Sequence, residues 1–432
     1  MNMINESAIG VDLADAALAT RVRWRMVAPT LLVLWVVSMF DKSNIGIVMA
    51  NPAFLKEMDL VGQPARLGWL AGSLFISYAL AAPFWGWMVA RVGPRRAAAI
   101  SLLIWALTCF GSGVAHSYNT LLISRLLLGF GEAALYPVTL TLVANWFGLR
   151  ERGRATAFWW CGTMIGPMLT GLLVTGLIVH FGWRIQFHVL GLIALLVPLP
   201  MVWFLLRDTP GEHPAVNDAE RDLVLAGAIE HNTDAPGRIL RGVSSFWHNY
   251  RYWLAVAAIS GNTIFFWGWS TWLPSYLRQA RGFSFSTSGY LTFVVYGCAI
   301  LVIIAGGLLS DRLFRRSALA GFGWLLGGVF LITAALVPSA TASVALMILA
   351  LCAQQIGISN GEMLFHSLVS TKDMSQSQGV RSFIAQTTGA LSPVMIGYLL
   401  AATGGFTGAM AVLSAAVVIS AGCMVLLARQ QL

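Results

Sequence analysis

Four ionisable side chains lie where such groups are costly. Asp41 and Lys42 interrupt one long apolar run, in Ser38-Met-Phe-Asp-Lys-Ser-Asn44, and Arg125 and Glu132 interrupt another, in Ser124-Arg-Leu-Leu-Leu-Gly-Phe-Gly-Glu-Ala133. On insertion scales a charge at the centre of a bilayer costs at least about 2.5–3.5 kcal/mol, so each needs a partner or a task. Two cations suit an anion: Lys42 as a point charge, and Arg125 with a fork that can bond both oxygens of a carboxylate. Two carboxylates suit protons, because a buried carboxylate that loses its cationic partner is cheaper in the neutral form. Arg125 and Glu132 are one heptad apart, so both project from nearly one helical face, about 10 Å apart along the axis. The competing reading is a static ion pair, Asp41 with Lys42 or with Arg125, although desolvation offsets most of the attraction in such pairs.

Further polar groups lie in the second half of the chain. Glu362 and His366 are four residues apart and share a helical face. They could carry protons, or satisfy each other, or face an aqueous cavity near a helix end. Gln354, Gln355, Asn360, Asn262, Thr387 and Thr388 could bond substrate hydroxyls or act as interhelical hydrogen bonds. The stripe Phe265, Phe266, Trp267, Trp269 and Trp272 could stack an aromatic substrate or form an interfacial belt.

The elements that must position these groups are membrane helices. Only 10% of the 432 residues are charged and 57% are hydrophobic, against about 25% charged in soluble domains. Twelve apolar runs are each long enough for a hydrocarbon core of about 30 Å, near 27–50, 66–90, 97–116, 119–147, 154–180, 185–206, 252–277, 286–310, 318–338, 342–369, 378–402 and 406–428. The expected fold is all-α, two six-helix bundles at 27–207 and 251–432. A cytoplasmic segment at 1–26 precedes them and a cytoplasmic linker at 208–250, polar and rich in turn residues, joins them. Residues 1–20 carry acids and no apolar core, so no cleavable signal peptide is expected.

A net charge of +9 could suggest nucleic acid, but its placement argues for orientation instead. Arginines cluster at 21–25, 91–96, 150–154 and 312–316, separated by pairs of spans, which places both termini in the cytoplasm. The five cysteines stand singly in apolar runs and read as packing residues, without metal-ligand or disulfide spacing. No nucleophile–base set, phosphate loop or nucleotide-binding module is found, so neither an enzyme nor a cofactor is expected. Any uphill transport would then use an ion gradient.

The two halves echo each other. Gly86-Trp-Met-Val-Ala-Arg-Val-Gly-Pro-Arg-Arg96 follows the second run and Gly307-Leu-Leu-Ser-Asp-Arg-Leu-Phe-Arg-Arg316 follows the eighth; Pro167 and Gly171 match Pro393 and Gly397. Such a parallel repeat, with a substrate site between the halves, is one transporter architecture. In these loop motifs the chain resembles the major facilitator superfamily. That resemblance implies a cytoplasmic gate built from Arg91, Asp311 and Arg312, with Ala90 standing where the first copy usually has Asp.

Arg125, Gly129 and Glu132, together with Asp41, Lys42 and Asn44, resemble the motifs of the anion:cation symporter family, which includes sugar-acid and aromatic-acid permeases, sialin and vesicular glutamate transporters. The resemblance implies substrate contacts at Lys42, Tyr78, Arg125 and Gln386 and proton coupling through Asp41 and Glu132. Lys42 replaces the usual Arg and Gln386 the usual Asn. The expected activity is proton-coupled uptake of a small carboxylate by alternating access, in a monomer in the bacterial inner membrane. The alternatives are a proton-driven drug or metabolite exporter, suggested by Gly162, Gly166, Pro167 and Gly171, and a nutrient sensor on the same fold.

Overall fold

The computed structural model describes residues 20–229, 246–310, 316–368 and 374–428, with side chains throughout except at 149–150, 225–229, 304–310, 316–319, 357–368, 374–376, 378–379 and 428. Asp311 and Arg312 of the expected gate therefore lie outside the described residues, as do the side chains of Glu362 and His366.

Apolar runs become helices because a chain without water must satisfy its amides internally. The first half contains α1 (Arg23–Ala50), α2 (Pro64–Val92), α3 (Pro94–Gly113), α4 (Tyr118–Trp146), α5 (Glu151–Phe181) and α6 (Ile185–Leu205). The second contains α7 (Tyr250–Gln279), α8 (Phe285–Ser310), α9 (Arg316–Leu336), α10 (Ala340–Leu368), α11 (Met374–Thr403) and α12 (Phe406–Ala428). Nine helices among the described residues are long and apolar enough to cross a membrane. Local signals set the boundaries. Pro64 and Pro94 open α2 and α3, where a missing N–H costs nothing. Gly93 turns the chain between them at φ +86°, and a Ser117–Thr120 capping box opens α4.

Glycines bring the helices of the first half close. A Cβ on Gly129 of α4 would lie 2.1 Å from the Leu74 carbonyl oxygen of α2, and one on Gly166 of α5 would lie 2.7 Å from that of Val36 in α1. Gly162 meets the same face of α1. The glycines that suggested an exporter motif are therefore packing contacts, with Gly171 against Phe293 and Gly289 of α8.

The halves meet at the end that carries the α1–α2 and α7–α8 connections. There Gly46 abuts the Thr271 carbonyl, Gly68 abuts that of Pro393, and Arg278 Nη1 donates to the Ala50 carbonyl at 3.1 Å. Deeper in, the rings of Phe75 and Trp267 lie 4.2 Å apart. The aromatic stripe of α7 is not an interfacial belt: Phe265, Trp267, Trp269 and Trp272 are all buried, and Trp272 Nε1 donates to the Pro393 carbonyl at 3.1 Å. The five aromatics could have stacked a substrate or formed a belt; Trp267 and Trp272 instead pack in the seam between α7 and its neighbours, with Phe266 half-buried.

At the opposite end the linker is folded onto the first half. Asp208 accepts from the Arg95 backbone N–H at 2.8 Å, and Trp146 Nε1 donates to the Arg207 carbonyl at 3.0 Å. A linker helix, Asp218–Ile229, places Glu220 under the start of α1. The Glu220 carboxylate accepts from Thr20 Oγ1 at 2.6 Å, the Val22 N–H at 2.9 Å, the Arg23 N–H at 3.1 Å and Arg23 Nη1 at 2.9 Å. Arg23 Nε also pairs with Glu151 at 2.8 Å. Burial opposes the charged form of Glu220, but these donors outweigh it and hold its carboxyl below the usual range. A depressed carboxyl contributes stability above its ordinary pKa, and that stability is lost as pH falls through the folded value. Glu220→Gln should therefore free residues 20–23, raising their amide hydrogen exchange at neutral pH by about ten- to a hundredfold, while wild type shows the same loosening only in acid. Unchanged exchange in the variant would show that the clasp contributes nothing.

Candidate functional site

α1 carries Ser38, Asp41, Lys42 and Asn44 as buried groups, and α4 carries Arg125 and Glu132, each 0% exposed. The close approaches at Gly129 to α2 and at Gly131 to α3 set α4 among its neighbours. Because Asp41 and Lys42 are adjacent on a helix they point about 100° apart, and the four charges separate into two pairs.

The inner pair is Asp41 with Arg125. Asp41 Oδ1 accepts from Asn44 Nδ2 at 2.7 Å, and Oδ2 accepts from Trp105 Nε1 and from the Cys109 thiol at 3.2 Å. Arg125 stands further off, with Nη1 3.8 Å from Asp41 Oδ1 and 3.5 Å from Asn44 Oδ1. Its Nε and Nη2 are buried with no hydrogen-bond partner among the described residues. The carboxylate is thus well satisfied by neutral donors, while the guanidinium is under-satisfied.

The outer pair is Lys42 with Glu132. Lys42 Nζ donates to Glu132 Oε2 and to Ser38 Oγ, and Ser38 Oγ donates to Glu132 Oε2 at 3.0 Å. The ammonium also lies 5.0 Å from the ring centroid of the half-buried Tyr78, a cation–π contact. Glu132 Oε1 has no partner among the described residues.

The sequence placed Arg125 and Glu132 on one face, and they do lie on one helix, but each turns to a different partner on α1. Lys42, Tyr78, Arg125, Asp41 and Glu132 are brought together. Gln386 is exposed on α11 and makes no hydrogen bond to this cluster among the described residues. Arg91 is exposed at the end of α2, its guanidinium 5.3 Å from the Trp87 ring. Sequence reasoning missed Ser38, Trp105 and Cys109, and read Cys109 as packing alone. The signal was spacing: Trp105 and Cys109 are four apart on α3, and Ser38 is four before Lys42 on α1, so each set shares a helical face.

The family model of the Major Facilitator Superfamily matches residues 31–357. Among curated proteins, the chain is 27% identical over 395 residues to the probable sulfoacetate transporter SauU of Cupriavidus necator, covering 88% of each chain. It is 25% identical to the probable galactarate/D-glucarate transporter GudP of Bacillus subtilis, covering 92% of this chain and 90% of that one. It is 26% identical to the hexuronate transporter of Bacillus subtilis, covering 88% of this chain and 90% of that one. The fold is shared with a bacterial homologue of the human lysosomal transporter Spinster, at a TM-score of 0.70 and 18% identity over 93% of this chain and 95% of that one.

Proposed function

The chain belongs to the Major Facilitator Superfamily, as a multi-pass membrane protein of the bacterial inner-membrane type, and we propose that it takes up a small organic carboxylate together with protons. The observation that carries this reading is the open edge of Arg125. Nε and Nη2 form the side of the fork that takes a carboxylate through two parallel bonds, and both are buried without a partner among the described residues. A guanidinium kept under-satisfied in an apolar bundle suits an anion and is unfavourable for a cationic drug. The relatives named for sulfoacetate, galactarate, glucarate and hexuronate support the same class of substrate.

In this reading the chain forms twelve spans with both termini in the cytoplasm, and works as a monomer. The glycine-lined seal at Gly46, Gly68 and Gly171 is then periplasmic and the described state is the inward-facing one. A carboxylate binds the open edge of Arg125 and draws Lys42 toward it. Glu132 loses its cation and becomes cheaper as the neutral acid, so substrate and proton travel together. Asp41, held by Asn44, Trp105 and Cys109, exchanges its own proton as Arg125 turns to substrate.

Purified protein screened by thermal shift against carboxylates and organic cations tests this directly. A carboxylate at about 100 times its Kd adds about 2.7 kcal/mol of stability, and cations should add none. Stabilisation by cations and by no acid would favour an exporter.

A further inference from the structure

At the end of the first half that carries the linker, the start of α3 and the end of α6 bring Arg95, Arg96 and Arg207 together. Arg95 reaches across to α6, where its Nη2 donates to the Trp203 carbonyl and its guanidinium lies 4.7 Å from the centre of the Trp203 ring. Arg207 Nη1 donates to the Leu206 carbonyl at 2.7 Å and, at 3.4 Å, to the same Trp203 carbonyl. Arg207 and Arg96 are close enough to Arg95 for their charges to repel it. Arg95 Nε is buried without a partner among the described residues. The acids whose charges reach Arg95 are Asp208 and Glu212. Asp208 accepts from the Arg95 backbone N–H at 2.8 Å, and Glu212 accepts from Thr209 Oγ1 at 3.1 Å. Among the described residues neither forms a salt bridge with the three guanidiniums.

The surroundings of this cluster are those of a bilayer edge. Trp203 and Phe204 are exposed at the end of α6, and tryptophan favours the level of the lipid headgroups. Further along, Leu103 and Leu107 on α3 and Leu192 and Leu196 on α6 are exposed. The two helices are held side by side, a Cβ on Gly191 of α6 lying 3.1 Å from the Ala106 carbonyl oxygen of α3. Arg96, Ile100, Leu103 and Leu107 follow the helical repeat, so one exposed face of α3 carries a cation at its end and apolar side chains beyond it. Cations beside an exposed apolar face suit a ligand with an anionic head and apolar chains, whereas a free anion would use the cations alone.

We propose that Arg95 and Arg207, with Arg96 adding to their field, bind the phosphate of an anionic phospholipid whose chains lie along the exposed apolar faces of α3 and α6. The guanidiniums now bond neutral carbonyls, and a phosphodiester offers them the stronger charge-assisted bonds. An anionic leaflet also draws basic clusters to its surface. The first amide of α3 is not part of the site, because Asp208 already occupies it. The bound lipid braces the linker. The Arg207 carbonyl accepts from Trp146 Nε1 at 3.0 Å and the Asp208 carbonyl from Asn145 Nδ2 at 2.9 Å. Both donors belong to α4, the helix that carries Arg125 and Glu132. The lipid thus ties the ends of α3, α4 and α6 into one unit. This inference rests on the membrane location and is independent of carboxylate transport.

The test titrates full-length purified protein in detergent with phosphatidylglycerol, phosphatidylcholine of the same chains and glycerol 1-phosphate, and counts bound molecules by native mass spectrometry. Wild type should bind phosphatidylglycerol about tenfold or more tighter than either of the others. Arg95→Gln combined with Arg207→Gln should weaken phosphatidylglycerol about twenty-five-fold, at about fivefold per arginine, and leave phosphatidylcholine unchanged. The backbone bond from Arg95 to Asp208 survives both substitutions. If the double variant does not fold, Arg96→Gln, at an exposed position, should still cost about fivefold. Arg25 is exposed at the start of α1, and Arg25→Gln is the control for net charge, with an expected change below about twofold. Wild-type affinity in the double variant, or in Arg96→Gln where that is the one that folds, overturns the proposal. So does an equal loss in Arg25→Gln, which would mean diffuse attraction, or glycerol 1-phosphate bound as tightly as the lipid, which would mean a site for a soluble phosphate.

Discussion

Arg125→Gln is expected to abolish carboxylate binding, and Arg125→Lys to weaken it by about ten- to a hundredfold. Lysine keeps the charge but replaces two parallel bonds with a single point contact, and a charge-assisted hydrogen bond is worth about 1.5–3 kcal/mol. The contrast isolates the open edge of the fork, since Nε and Nη2 are its groups without partners among the described residues. Folding should survive both changes. Asp41 keeps Asn44, Trp105 and Cys109 as donors, and in the glutamine variant it can take a proton instead of remaining an unpaired buried charge. Calorimetric titration of each variant with an acid that binds wild type checks this, with the melting temperature of the ligand-free protein as the control. Wild-type affinity in both variants would remove Arg125 from the substrate site.

The sequence was most legible where one property decides the outcome. Apolar length sets a membrane helix, and the described helices begin and end within four residues of the expected runs. The buried charges were equally plain, because an ionisable residue in an apolar run has few structural reasons to be there. Of the pairings, Asp41 with Arg125 was among those the sequence offered and is the one found, whereas Lys42 with Glu132 was not legible. Arg125 and Glu132 share a face of α4, but the choice between Asp41 and Lys42 depends on how α1 is rotated against α4, and that is set by glycine contacts with α2, α3 and α5. Composition does not encode that rotation. The aromatics of α7 show the same limit: tryptophan suits both a bilayer interface and a helix seam, and only the neighbouring helix, α11 with Pro393, selects the second. The folding of the linker onto the first half was also hidden, because Glu220 looks like any solvated acid until Arg23 and Thr20 are brought above it.

The second large effect is expected at Glu132. Glu132→Gln should still bind substrate and exchange it across the membrane, but should lose accumulation against a gradient. The amide keeps hydrogen bonds to Lys42 and Ser38 and cannot carry a proton, so substrate and proton movement separate. Lys42, relieved of its counter-ion, should hold the anion at least as tightly as before. Asp41→Asn should also lose proton-driven accumulation, with a further change in affinity because Asp41 stands 3.8 Å from Arg125. Counterflow and gradient-driven uptake measured on the same proteoliposomes separate the two functions. If both variants accumulate substrate at the wild-type level, proton coupling does not run through these acids, and Glu362 with His366 becomes the next place to look.

The claim that joins these results is that a carboxylate and a proton move as one. It is tested most directly without any imposed proton gradient. Wild-type protein in vesicles carrying an internal pH dye is given an outside excess of a carboxylate that stabilises it in the thermal-shift screen. The account predicts that substrate entry acidifies the interior, that Glu132→Gln abolishes the acidification while counterflow persists, and that collapsing the pH difference with a protonophore restores substrate entry to its initial rate. Substrate entry with no change in internal pH, at a rate indifferent to the protonophore, would contradict it.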